Sequence, residues 1–272
     1  MQFIADIGKN FIDSTDNNQT VEDCLLKAKR LVFLAKESGA TIAKFQTHVL
    51  EDEFEKRDYR KVFWIEKNEK LTPIEFWNEI KLYCDYLGIE FMTTPMSKMA
   101  AEKIDELVKR WKVSSADIVD FDLLEYLKST GKPIILSTGM STEDEIERVV
   151  NFLGNQIEFI NYCISIYPCP VYKIDLQQIP YLRCKYQLPV GLSDHSLSIE
   201  APVLAVKMGA IAIEKHFTLD RNAFGPDHKV SLLPDEFKKM VDLCRLAEKD
   251  KGSFEEEKKL WVSFRKNNII NQ

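Results

Sequence analysis

Long apolar runs, basic blocks, paired cysteines and a glycine-rich phosphate turn are all missing from this chain of 272 residues. No uncharged apolar stretch approaches the roughly 18 residues that a membrane span requires. The N-terminus, MQFIADIGKN, carries an aspartate where a signal peptide would be apolar. The formal charge is −6 with no basic cluster, which argues against a nucleic-acid surface. Net charge does not forbid a local anion site built from a few lysines inside a pocket. Six cysteines, at 24, 84, 163, 169, 184 and 244, have neither C-x-x-C spacing nor the density of a disulfide framework, so reduced thiols are the default. No G-x-G-x-x-G turn follows the first apolar run, which removes the usual dinucleotide signature. These absences predict a soluble, cytoplasmic protein without membrane or nucleic-acid partners.

What is present is a repeated strand-then-helix pattern. At 45% hydrophobic, the chain can bury a sizeable core. Phe3 to Gly8 reads as a first strand. Thr20 then caps an amphipathic helix in which Val21, Cys24, Leu25, Ala28, Leu31, Val32 and Ala35 recur at spacings of three and four, and Gly39 ends it. Thr41 to Thr47 is a second strand that places Lys44 and Gln46 on one face. Residues 48 to 72 read as a long, charged and aromatic connection. Pro73 opens a helix that Gly88 caps, and Glu90 to Pro95 is the third strand. Further strands are expected at Trp111 to Ser115, Ile134 to Gly139 and Ile157 to Cys163. Thr142 and Glu145 form a capping box before a helix to Leu153. The segment Ile174 to Tyr186 reads as helical in part, interrupted at Pro180, and Pro234 opens a last helix.

The chain is organised around residues 191 to 228, which hold three of its four histidines, His195, His216 and His228. His195 follows the apolar run Leu188 to Leu192, and His216 follows the run Ile211 to Ile213. Two histidines at the ends of successive parallel strands lie side by side on one rim, where neutral imidazoles can share a divalent metal. Alternatively, each is a satisfied polar residue at a strand end. Eight strand–helix units in about 250 residues match a closed (β/α)₈ TIM barrel of the α/β class over residues 1–250, with an open doubly wound sheet as the alternative. The charged tail, residues 251–272, is expected to dock on the barrel through Trp261 and Phe264.

In such a barrel the strand carboxyl ends carry the chemistry. Here they offer Asp6, Lys44, Gln46, Thr94, Lys112, Ser115, Ser137, Thr138, Tyr167, Ser193, Asp194, Lys215 and the two histidines. Lysines and hydroxyls from several strands suit a phosphate, although serine and threonine there can also be plain helix caps. A phosphate site beside a metal that polarises an aldehyde suggests carbon–carbon bond formation by a phosphorylated small molecule. A two-metal hydrolase would want more carboxylates.

The runs Lys44 to Thr47, Ser137 to Met140, Gly191 to Ser196 and Glu214 to Lys229 (EKHFTLDRNAFGPDHK) closely resemble the sialic acid synthase family. Its members condense phosphoenolpyruvate with an open-chain N-acetylhexosamine. The resemblance implies a (β/α)₈ barrel and a divalent cation, Mn2+ or Mg2+, on His195 and His216. It implies a phosphoenolpyruvate site of Lys44, Thr94, Lys112, Ser115, Ser137 and Ser193, with Gln46, Tyr167 and Asp227 facing the sugar. Asp6 and Asp117 are the implied carboxylates for moving protons or positioning water, and a homodimer is the implied assembly. Three features depart from the family pattern. Asp6-Ile7-Gly8 stands where Glu-Ile-Gly is usual, and Ser165-Ile166 precedes Tyr167. The chain also stops at Gln272, without room for the family's C-terminal antifreeze-like domain. All three touch the sugar side, so the expected reaction keeps phosphoenolpyruvate and leaves the acceptor open between N-acetylmannosamine, a related amino sugar and another aldose. A non-catalytic barrel that binds sugar phosphates and a metal-dependent hydrolase of sugar phosphates are the remaining alternatives.

Overall fold

Eight parallel strands alternate with helices around a closed ring. The computed structural model describes residues 1–13, 15–53, 59–250 and positions 259, 262, 263 and 266, so the tail with Trp261 and Phe264 falls mostly outside the described residues. In chain order the elements begin β1 (Gln2–Gly8), α1 (Val21–Glu37), β2 (Ile42–Thr47), α2 (Leu50–Glu53), α3 (Tyr59–Leu71), α4 (Ile74–Leu87) and β3 (Glu90–Pro95). They continue with α5 (Lys98–Ile104), β4 (Trp111–Val113), α6 (Phe121–Ser129), β5 (Ile134–Ser137), α7 (Glu143–Leu153) and β6 (Ile157–Cys163). The chain closes with α8 (Gln178–Tyr186), β7 (Val190–Asp194), α9 (Glu200–Lys207), β8 (Ala212–His216) and α10 (Pro234–Lys249). The strands pair in the order β3-β2-β1-β8-β7-β6-β5-β4. β3 and β4 lie against each other to close the ring. This is the (β/α)₈ barrel, and the open doubly wound alternative falls.

The capping signals act as expected. Thr20 and Asp23 form a reciprocal box at α1, and Thr142 and Glu145 do so at α7. Gly88 ends α4 in the left-handed conformation at φ 63°. Two stretches differ from the sequence expectation. Residues 48–72 are largely helical, as α2 and α3, rather than one long connection. The buried stripe of α3 includes Ile65, Asn68 and Leu71, and an asparagine in that stripe hides the helical period. Pro180 does not interrupt α8 but sits in its first turn, where a missing N–H costs nothing.

At the amino end of the barrel, β3 and β4 share no ladder, and side chains bridge them instead. Arg110 Nε and Nη2 donate to the two carboxylate oxygens of Glu90 at 2.7 and 2.6 Å, and Nη1 donates to Glu158 at 2.5 Å and to Gln2 at 3.1 Å. Above this clamp, Ile4, Ile42, Met92, Ile135, Phe159 and Ala212 form a buried apolar cluster inside the ring, separate from the larger core between sheet and helices. All six cysteines are free. Among the described residues no helix is long and apolar enough to cross a membrane.

Candidate functional site

Two residues beyond each member of that apolar floor, the strands place Asp6, Lys44, Thr94, Ser137, Asn161 and Glu214 in the barrel interior. Period-2 alternation therefore stacks a polar layer directly on an apolar one. A cavity of about 420 Å³ opens above it towards the strand carboxyl ends. Asp6, Lys44, Gln46, Thr94, Lys112, Ser115, Ser137, Tyr167, Ser193, His195, His216 and Asp227 all line it. Asp117 is set apart: it is buried outside the lining, and its carboxylate accepts from Ser114 Oγ at 2.5 Å.

The polar layer is held by charge. Lys44 Nζ donates to Asp6 Oδ2 at 2.7 Å, and Glu214 lies 3.7 Å from both Lys44 and Lys112. Lys112 also donates to Ser137 Oγ at 2.7 Å, and Ser193 Oγ donates to Glu214 at 3.1 Å. Burial pushes the carboxyls of Asp6 and Glu214 up, but the neighbouring ammonium groups outweigh it and hold both below the ordinary carboxylate range. The two lysines diverge. Burial depresses both, yet Asp6 and Glu214 carry Lys44 above its usual value, whereas Lys112 stays below it. Lys112 is thus the cation whose burial is less fully compensated by neighbouring carboxylates.

Hydroxyls and a bare backbone complete the wall beside Lys112. Gly139 N–H donates to Ser115 Oγ at 3.0 Å, and a Cβ at Gly139 would come within 2.6 Å of Cys163 Sγ and 2.7 Å of Ser165 Oγ. Gly191 is needed for a similar reason: a Cβ there would lie 2.4 Å from Asn161 Oδ1 and 3.0 Å from the Ala212 carbonyl.

At the mouth, the imidazoles of His195 and His216 face each other with ring centres 5.5 Å apart. His195 Nδ1 lies 2.9 Å from the Ile164 carbonyl. A carbonyl only accepts, so Nδ1 carries the proton and Nε2 keeps its lone pair, the arrangement common for a ligating histidine. His216 Nδ1 is buried without a hydrogen-bond partner, and it lies 3.6 Å from Asp6 Oδ2. Metal–nitrogen bonds of about 2 Å to one ion put two imidazole centres at a comparable spacing. The pair therefore fits a shared cation. Among the described residues no three His, Cys, Asp or Glu side chains converge on one point. Two imidazoles with the rest of the shell from water and substrate oxygens is the arrangement these donors can give, as Mg2+ tolerates. Further unpaired acceptors, Asp6 Oδ1 and Asp227 Oδ2, are buried and flank Gly8.

Glu214, Asn161 and Cys163 were not among the residues expected from the sequence. Alternation could have found them, since Glu214 lies two residues before His216, and Asn161 and Cys163 follow Phe159 on the inner face of β6.

The NeuB family model matches residues 31–256 of the chain. An uncharacterized protein of Methanocaldococcus jannaschii is 43% identical over 232 residues, covering 84% of this chain and 68% of that protein. The N,N'-diacetyllegionaminic acid synthase of Legionella pneumophila is 38% identical over 247 residues, covering 84% of this chain and 69% of that enzyme. The crystal structure of the N-acetylneuraminic acid (sialic acid) synthetase of Leptospira borgpetersenii superposes with a TM-score of 0.81 at 28% identity, covering 97% of this chain and 90% of that one. With its barrel, its polar layer and these matches, the chain belongs to the NeuB family.

Proposed function

We propose that this protein condenses phosphoenolpyruvate with the open-chain form of an amino sugar, giving a 3-deoxy-2-keto sugar acid of the sialic acid type and releasing phosphate. The observation that carries this reading is that Lys44, Lys112, Thr94, Ser137 and Ser193 line one cavity together with two imidazoles whose ring centres are 5.5 Å apart. Lys44 and Lys112 neutralise the phosphate and carboxylate of phosphoenolpyruvate. Thr94, Ser115 and Ser137 donate to its oxygens and fix its pose, and Ser193 joins them when its proton turns from Glu214 to the ligand, which supplies orientation and electrostatic stabilisation. His195 and His216 would hold Mn2+ or Mg2+, whose Lewis acidity acts on the aldehyde oxygen of the sugar.

Gln46, Tyr167 and Asp227 orient the sugar chain above the cradle. Asp227 has an unpaired buried oxygen ready to accept from a sugar hydroxyl. When the enol carbon bonds to the aldehyde carbon, positive charge develops on the second carbon of phosphoenolpyruvate. Asp6 positions the water that adds there and takes its proton, and the carbon–oxygen bond to phosphate then breaks. Asp117 acts at one remove, through the Ser114 hydroxyl at the cavity wall. The acceptor is N-acetylmannosamine or a relative; the similar enzymes named for legionaminic and sialic acids support that class. The expected assembly is a homodimer and the expected compartment is the reducing cytoplasm, in keeping with six free cysteines.

The test is phosphate release from phosphoenolpyruvate in Mn2+, across a panel of aldoses. Release that requires N-acetylmannosamine or a related amino sugar and stops in chelator is expected. Release without any sugar would point to a hydrolase, and tight phosphoenolpyruvate binding without turnover would point to a binding protein.

A further inference from the structure

Alternation puts the chemistry of β7 and β8 on their inner faces: Ser193, His195, Glu214 and His216 line the cavity, and Asp194 and Lys215 do not. Asp194 and Lys215 are register partners across the ladder. Both are buried, Lys215 with 0% of its surface exposed. Lys215 Nζ donates to Asp194 Oδ2 at 2.9 Å, to the Ser196 carbonyl, and to the Ser198 carbonyl at 3.2 Å. All three protons of the ammonium are thus spent on the segment 194–198. Asp194 accepts in turn from the Ser196 N–H at 2.8 Å and the Ser196 hydroxyl at 3.0 Å. The residue between these anchors is His195.

Stability alone does not account for such a pair. A buried ion pair replaced by apolar side chains of similar size is often no less stable, because two charges need not then leave water. What an apolar pair cannot do is fix the direction of a turn, since it makes no directional bonds. Lys215 immediately precedes His216 in the chain, so one lysine joins the backbone of one imidazole to the loop of the other. We infer that the Asp194–Lys215 pair is the positioning device that holds His195 in register with His216. The inference rests on reading these imidazoles as ligands of one divalent cation.

The test uses the full chain with both charges removed together, Asp194→Leu with Lys215→Met, so that neither is left buried alone. Two quantities are read: Mn2+ affinity, from the electron paramagnetic resonance of the free ion, and the Nδ1–H signal of His195 in metal-free protein with ¹⁵N-labelled histidine. A folded double variant is expected to bind Mn2+ about 10- to 100-fold more weakly and to lose or shift the His195 signal. Unchanged affinity and unchanged signal in a folded double variant would overturn the inference. If that variant does not fold, Ser196→Ala, which removes the hydroxyl's bonds to Asp194 and to the Ser198 N–H and leaves the charges paired, must weaken Mn2+ binding and move the signal, or the inference fails. Should the wild type itself bind no Mn2+, the metal reading is lost, and the His195 signal alone decides whether the pair positions the ring.

Discussion

Lys112 and Lys44 are equally buried at the floor of one cavity, yet their surroundings push them in opposite directions. Deprotonation would remove the positive charge that, on the proposed function, meets the phosphoenolpyruvate anion. The lysine held below 10.5 loses its proton first as pH rises. The alkaline limb of kcat/KM for phosphoenolpyruvate, which reports the free enzyme, is therefore expected to fall away below pH 10.5. Lys112→Arg keeps the charge and should move that limb upward, whereas Lys44→Arg should leave it in place. At Gly191 the constraint is steric. Gly191→Ala forces a methyl against Asn161 and the Ala212 carbonyl, and overpacking of this kind costs about 1–3 kcal/mol. A lowered midpoint of thermal unfolding is the expected result, with weaker phosphoenolpyruvate binding as Asn161, which donates to Glu214 at 3.4 Å, shifts. Much of this was readable in the sequence at single residues: Lys44 and Lys112 stand out because lysines rarely sit inside apolar strands. Glu214 did not stand out, because a glutamate between two strand-end residues looks like solvated surface until the inner face of β8 is known.

Among the elements, the short strand β4 is the weak stave. It pairs with β5 through three residues and with β3 through none. The fork of Arg110 on Glu90 spans that gap with two bonds of charged groups, both partners mostly shielded from solvent. Hydrogen bonds to charged groups contribute about 1.5–3 kcal/mol each, so Arg110→Met should lower stability by about 2 kcal/mol or more. The loss should appear in urea unfolding, with hydrogen exchange rising first in β3 and β4. A Glu90→Gln, Arg110→Met double-mutant cycle should show strong coupling. Strand and helix order was legible because the alternation of apolar runs and capping signals is local. The helix α3 was not, since Asn68 occupies a buried position in its stripe. The position of Asp117 was not legible either: it follows a strand end, but the turn after β4 directs it at Ser114 rather than into the cavity.

The whole molecule divides its labour along the barrel axis. The amino end is closed by a charged clamp and an apolar floor, and the carboxyl end carries every group proposed to meet a substrate. Chemistry and fold should separate accordingly. His195→Ala is expected to abolish Mn2+-dependent turnover while leaving the unfolding midpoint within a few degrees, as circular dichroism would show. Ile135→Ala, in the floor, should cost about 2–5 kcal/mol without removing the metal requirement of whatever folded protein remains. The floor also dictates traffic. A chamber stoppered below opens towards the strand carboxyl ends, and on the proposed function the berth for phosphoenolpyruvate lies deeper in it than the berth for the sugar. On that reading phosphoenolpyruvate is expected to enter first, and a sugar that arrives early would block the passage. Initial-rate patterns should obey a compulsory sequence, with high sugar concentrations slowing turnover at low phosphoenolpyruvate.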